Sequence, residues 1–121
     1  MAQSILIVDD SPTVRQQLRM CLEMGGYQVV EAEHGKAGLE QADKNRVSLV
    51  ISDVNMPIMN GIDFIRELRT RSAYQKTPVF VLTTESGPAQ SQLGKQAGAT
   101  AWIVKPFKPE VLLKGIKKVL G

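Results

Sequence analysis

The chain has 121 residues, 43% of them hydrophobic and 22% charged, and a formal net charge of +3 at neutral pH. This size and apolar content suit one compact domain spanning residues 1–121 and exclude a disordered tail. The early apolar run Ile5–Val8 has no Lys or Arg before it and is far too short for a membrane span or a secretion signal, so a cytoplasmic protein without membrane insertion is expected.

In chain order, Ile5–Val8 reads as a strand and Ser11 as the N-cap of a helix. Pro12 suits the first helical position, Val14, Leu18, Cys21 and Leu22 form the apolar stripe, and Gly25-Gly26 end the helix. Cys21, the single cysteine, excludes an internal disulfide and reads as a buried thiol. A second strand is expected at Tyr27–Val30, followed by Glu31-Ala32-Glu33 as solvent-facing charge and by His34 as a surface residue in a turn. Leu49–Ile51 is the third strand, Gly61–Arg71 a helix carrying Ile62, Ile65 and Leu68, and Val79–Leu82 the fourth strand. Thr84 to Gly98 is the poorest helical segment: Gly87-Pro88 open it, Gly94 interrupts it, and Leu93 is its only large apolar residue. Ala101–Val104 is the fifth strand, and a last helix starts at Pro109 with Leu112, Ile116, Val119 and Leu120 on one side. The lysines 105, 108, 114, 117 and 118 lack an arginine cluster or interleaved aromatics and read as a solvated helix face, so no direct nucleic-acid binding is expected.

The first and fourth strands are apolar at every position, as in strands covered on both faces, so the sheet is parallel. Right-handed crossovers then give a doubly wound α/β architecture of five strands and five helices, with its functional crevice beyond the carboxyl ends of the strands. Asp9-Asp10 follow the first strand, Asp53 the third, Thr83 the fourth and Lys105 the fifth. Any one of these could be a turn former or cap, but together they bring three carboxylates, a hydroxyl and an ammonium to one edge. Clustered carboxylates repel unless a cation sits among them. Magnesium takes one or two carboxylates and leaves its other positions to waters and phosphate oxygens, which frees one carboxylate to attack a phosphoryl donor.

The motifs LIVDDS (Leu6–Ser11), ISDVNMPIMNG (Ile51–Gly61), VLTTE (Val81–Glu85) and VKPF (Val104–Phe107) resemble, in order and spacing, the response-regulator receiver domain of bacterial two-component systems, in its stand-alone chemotaxis (CheY) form. The resemblance covers positions 4 to 120. It implies a flavodoxin-like strand order 2-1-3-4-5, Asp53 as phosphoacceptor, Mg2+ (or Mn2+) held by Asp9, Asp10, Asp53 and the backbone carbonyl of Asn55, and Lys105 paired with the acceptor and then the phosphate. Thr83 would be the switch hydroxyl, Trp102 would stand where the family often has a mobile Tyr or Phe, and Lys105–Pro106 would be cis. Asn55 and Glu85 would tune self-dephosphorylation. Thr84 departs from the small residue common at its position and would narrow access to the phosphoryl group.

The implied protein is a signalling switch rather than an enzyme, with magnesium-dependent self-phosphorylation and self-dephosphorylation. Its partners would be a sensor histidine kinase and a downstream protein, a motor switch or another output. It would act as a monomer, with a dimer as the alternative. With no output domain after Gly121, the message is expected to leave by protein contact. The switch would run from Thr83 into the weak helix and Trp102, altering the surface of the fourth helix, fifth strand and fifth helix. A phosphatase with an Asp nucleophile is the rival reading, but such enzymes place a second Asp where Asn55 stands and need a substrate cap. A receiver that has lost phosphorylation is a third, against which the intact acidic pocket counts.

Overall fold

The computed structural model describes residues 3–84 and 87–121. Strands β1 (Ser4–Val8), β2 (Gln28–Ala32), β3 (Leu49–Ser52), β4 (Val79–Thr83) and β5 (Ala101–Val104) alternate with helices α1 (Pro12–Met24), α2 (Gly35–Lys44), α3 (Gly61–Arg69), α4 (Pro88–Ala97) and α5 (Pro109–Leu120). All pairings are parallel and the order is β2-β1-β3-β4-β5, as expected.

Side-chain alternation divides the core in two. Leu6, Val8, Val50, Val79 and Val81 face Leu39, Phe64, Ile65 and Leu68 of α2 and α3. Ile5, Ile7, Leu49, Ile51, Phe80 and Leu82 face Leu18 and Leu22 of α1 and Leu112 and Ile116 of α5. Ile5 through Val8 are wholly inaccessible, which is why this strand shows no polar alternation. Burying each such aliphatic side chain stabilises the fold by about 1.5–3 kcal/mol. Among the described residues no helix is long and apolar enough to cross a membrane.

Local chemistry sets the boundaries. The Ser11 hydroxyl accepts from the Val14 N–H at 3.3 Å, and Pro12 opens α1 where its missing N–H costs nothing. Asn60 caps α3 through the Asp63 N–H at 2.9 Å. Some details differ from the sequence reading. Strand β2 lies further along, at Gln28–Ala32, because the turn through Gly26, at φ +89°, carries Tyr27 back onto the Leu22 carbonyl. Helix α3 stops at Arg69, since both the Thr70 N–H and its hydroxyl return to the Glu67 carbonyl. His34 is not merely a turn residue: its Nδ1 accepts from the Ala37 N–H at 3.0 Å and caps α2.

Candidate functional site

The carboxyl ends of β1, β3, β4 and β5 meet at one edge, and backbone hydrogen bonds carry the alignment beyond the strands. The Asp9 N–H donates to the Ala32 carbonyl at 3.1 Å, the Asp53 N–H to the Val8 carbonyl at 2.9 Å, and the Lys105 N–H to the Thr83 carbonyl at 2.8 Å. Residues far apart in sequence are thereby held side by side. Asp53 is pinned further: the Ser52 hydroxyl donates to its carbonyl at 2.8 Å and the Val54 N–H to its Oδ1 at 2.6 Å. Gly61 lies so close that a Cβ there would sit 2.0 Å from the Asp53 carbonyl oxygen, so only glycine lets α3 begin against this loop. Between them, the Met59 N–H turns back to the Pro57 carbonyl at 2.7 Å around Ile58, which is exposed and held at φ +70°. That backbone is unfavourable for a β-branched residue.

One carboxylate oxygen from each of Asp9, Asp10 and Asp53 falls within 4.8 Å of the others. Asp9 is 2% exposed and Asp53 8%, while Asp10 is exposed and marks the open side. The Lys105 ammonium donates to Asp53 Oδ2 at 3.0 Å and to Asp9 Oδ2 at 3.1 Å. Burial pushes the Asp9 carboxyl above the usual carboxylate range, against the opposing pull of the Ser11 N–H and of Lys105. For Lys105 burial alone would favour the neutral amine, but hydrogen bonds to Asp53 and Asp9 outweigh it and hold the ammonium charged beyond the ordinary lysine range.

Among the described residues one ammonium, Lys105, is bonded to two of these three carboxylates, so a site of this composition favours a further positive charge. The donor set is all hard oxygen, and an octahedral ion with metal–oxygen distances of about 2.0–2.1 Å brings its ligands to roughly 3–4 Å from one another, a small contraction of what is present. The residues therefore fit a small divalent cation.

Thr83 is fully buried at the end of β4, with Thr84 exposed beside it. Asn55 is exposed in the loop two residues beyond Asp53. The Lys105–Pro106 peptide bond is cis. Trp102 is half-buried on β5, its indole against α4, where a Cβ on Gly94 would meet the ring at 2.6 Å. Glu85 lies outside the described residues.

Glu31 departs from its expected role. It sits within β2, where Arg15 binds one of its carboxylate oxygens at 3.2 Å and Arg19 the other at 2.6 Å. Arg15 also donates to the Asp9 carbonyl at 2.5 Å, which ties this ion-pair network to the acidic loop. The spacing of Arg15 and Arg19 along one helix face was the available signal; it has value only once β2 is known to extend to Ala32.

Comparison with known proteins places this geometry. Residues 5–117 match the family model of the response regulator receiver domain. The chain belongs to that family. It is 41% identical to the chemotaxis protein CheY1 of Helicobacter pylori over 119 residues, 97% of this chain and 96% of that one. The solved structure of chemotaxis protein CheY4 of Vibrio cholerae superposes with a TM-score of 0.94 at 45% identity, covering 98% of this chain and 99% of that one. The receiver domain of the sensor histidine kinase PA1611 of Pseudomonas aeruginosa, 25% identical with a TM-score of 0.90 over 98% of this chain and 97% of that one, was solved with a magnesium ion coordinated in its active site cleft. This receiver is accordingly of the CheY type, a signalling switch and not an enzyme in the ordinary sense.

Proposed function

We propose that this receiver accepts a phosphoryl group from a histidine kinase on Asp53, in a reaction that needs Mg2+, and passes the signal to a protein partner through the surface formed by α4, β5 and α5. The observation that carries the reading is the convergence of three carboxylates within 4.8 Å, with Lys105 bonded to two of them. Asp9, Asp10 and Asp53, with the Asn55 carbonyl, would hold the ion, which when bound supplies positive charge against the phosphoryl oxygens.

The chain's own residues do the rest. An Asp53 carboxylate oxygen attacks phosphorus as the bond to the donor nitrogen breaks, so the product is an aspartyl phosphate. Val54 N–H and the backbone of β1 hold that carboxylate in place, which spares the reaction the entropy of orienting it. Lys105, already charged and aimed at Asp53, moves its hydrogen bond onto the phosphoryl group. Thr83 follows, donating its hydroxyl to the same group. Asn55 and Glu85 orient the water that later removes the phosphate.

On the output side, Leu93 of α4, Val104 of β5 and Val111 of α5 are exposed apolar side chains, the kind of surface a partner helix or peptide covers. A motor switch or another motility protein is the class of target suggested by the chemotaxis relatives, and the cytoplasm is the compartment. The test is incubation with acetyl phosphate and Mg2+ followed by intact mass measurement. One added phosphoryl group in the wild type and none in Asp53→Asn is expected. Catalytic turnover without a stable adduct would favour a phosphatase, and no change in either protein would reduce the chain to an unphosphorylated interaction module.

A further inference from the structure

We propose that Arg15 and Glu31 are positioning residues for the cation site: Arg15 holds the backbone of the acidic loop, and Glu31 cancels the charge that Arg15 would otherwise set against the ion. The inference rests on the reading of Asp9, Asp10 and Asp53 as cation ligands.

The loop after β1 has few constraints of its own. Asp9 keeps one ladder bond to β2, its Oδ1 accepts from the Ser11 N–H at 2.9 Å, and the chain then enters α1. The Asp9 carbonyl is fixed by the Arg15 guanidinium at 2.5 Å, a hydrogen bond strengthened by the donor's charge. Arg15 is itself held, at 17% side-chain exposure, by Glu31 at 3.2 Å, and Glu31 is clamped from its other oxygen by Arg19 at 2.6 Å. Arg19 in turn bonds Glu23 at 3.2 Å. The chain of contacts therefore runs from α1 through β2 to the peptide that joins the two candidate ligands Asp9 and Asp10.

A guanidinium beside a divalent-cation site needs a reason to be there, since by Coulomb repulsion alone it weakens binding. Its contact is with a backbone carbonyl and not with the carboxylates, so what it contributes is geometry. Glu31, on the neighbouring strand, supplies the compensating negative charge. Outer partners of metal ligands commonly act in this way, and losing one typically costs 10–100-fold in metal affinity.

The two possible roles of Arg15 predict opposite signs, so Mg2+ binding measured by calorimetry decides between them. The proteins are wild type, Arg15→Met, Arg15→Ala, Glu31→Gln and the Arg15→Met/Glu31→Gln double variant, at low and at physiological salt. Arg15→Met keeps the aliphatic stem, should Arg15→Ala fold poorly. The expected result is that Arg15→Met weakens Mg2+ binding about ten-fold although it removes a positive charge. Glu31→Gln, which can still accept from Arg15, should weaken binding at low salt and recover in part as salt screens the uncompensated guanidinium. In the double variant the salt-sensitive part should vanish. Melting temperatures of the metal-free variants give the readout that a purely structural role would move, leaving affinity untouched. Binding as tight as or tighter than wild type in Arg15→Met, or a Glu31→Gln indistinguishable from wild type at low salt, overturns the proposal. Absence of Mg2+ binding in the wild type would instead overturn the reading of the site beneath it.

Discussion

Lys105 and Asp9 are affected by burial in opposite ways. The ammonium is charged, directional and pointed at Asp53 before any phosphoryl group arrives, which is the preorganisation that electrostatic catalysis requires. Replacing Lys105 by Ala is expected to slow phosphorylation from acetyl phosphate about a hundred-fold, measured as the rate of adduct formation at saturating Mg2+. A slowdown of only two- or three-fold would show that the lysine is an ordinary ion-pair partner. Asp9 is held on the opposite side of the balance. Burial raises its affinity for protons in the folded state, so its ionisation opposes folding: the contribution is most favourable below its ordinary value of 3.8 and is lost as pH rises through the higher folded value. Without metal, Asp9→Asn should therefore be more stable than wild type to urea at pH 7, and the gap should close as pH falls toward 3.8. A gap that widens in acid would mean that Asp9 is stabilised in its charged form. Cys21 offers a simpler pH test. Burial pushes its thiol above the usual range, so alkylation near pH 8 should be slower than for a free thiol, and an equal rate would show that the thiol is accessible.

Among the helices, α4 buries the smallest side chains. It has no side-chain cap, its buried residues are Gly94 and Ala97, and Leu93 is 40% exposed. Its C-terminal end is held from outside, by Arg69 donating to the Gly98 carbonyl at 2.7 Å while also reaching Tyr74 and Thr77. Gly94, which the sequence marks as a break in the helix, makes room for the Trp102 indole. Gly94→Ala should raise helix propensity by about 1 kcal/mol and yet displace the ring, visible as a shifted indole emission maximum. An unshifted maximum would mean the ring is not seated there. Hydrogen exchange in α4 should also be the fastest of the helices and should change when a phosphoryl mimic is bound. The sequence made the strands and the acidic edge legible because fully buried parallel strands leave unbroken apolar runs, and polar residues at their ends stand out. It could not reveal why Gly94 stands in α4, since that depends on β5 lying against it. Glu31 was hidden for the same reason: its partners are on α1, and the apolar run Tyr27–Val30 stops before the strand does.

At the scale of the molecule, two apolar layers bind a rigid sheet to which the reactive edge is attached. Phe64 is wholly buried between α3 and the sheet, and Phe64→Ala should cost about 3–5 kcal/mol by chemical denaturation, against a total stability of about 5–15 kcal/mol for a domain of this kind. The reactive edge works against that sheet, since like charges are crowded at its rim. A divalent ion bound there should stabilise the fold by about 2.7 kcal/mol at a hundred-fold excess over its Kd. In the function proposed above, this edge makes one carboxylate, Asp53, a phosphoryl acceptor. The most direct test is to phosphorylate the protein with acetyl phosphate, reduce the acyl phosphate with borohydride, and locate the resulting homoserine by peptide mass mapping. The label should appear at position 53 alone and only when Mg2+ or Mn2+ was present; label at Asp9 or Asp10, or label that forms equally well in chelator, would rule out Asp53 as the metal-dependent acceptor.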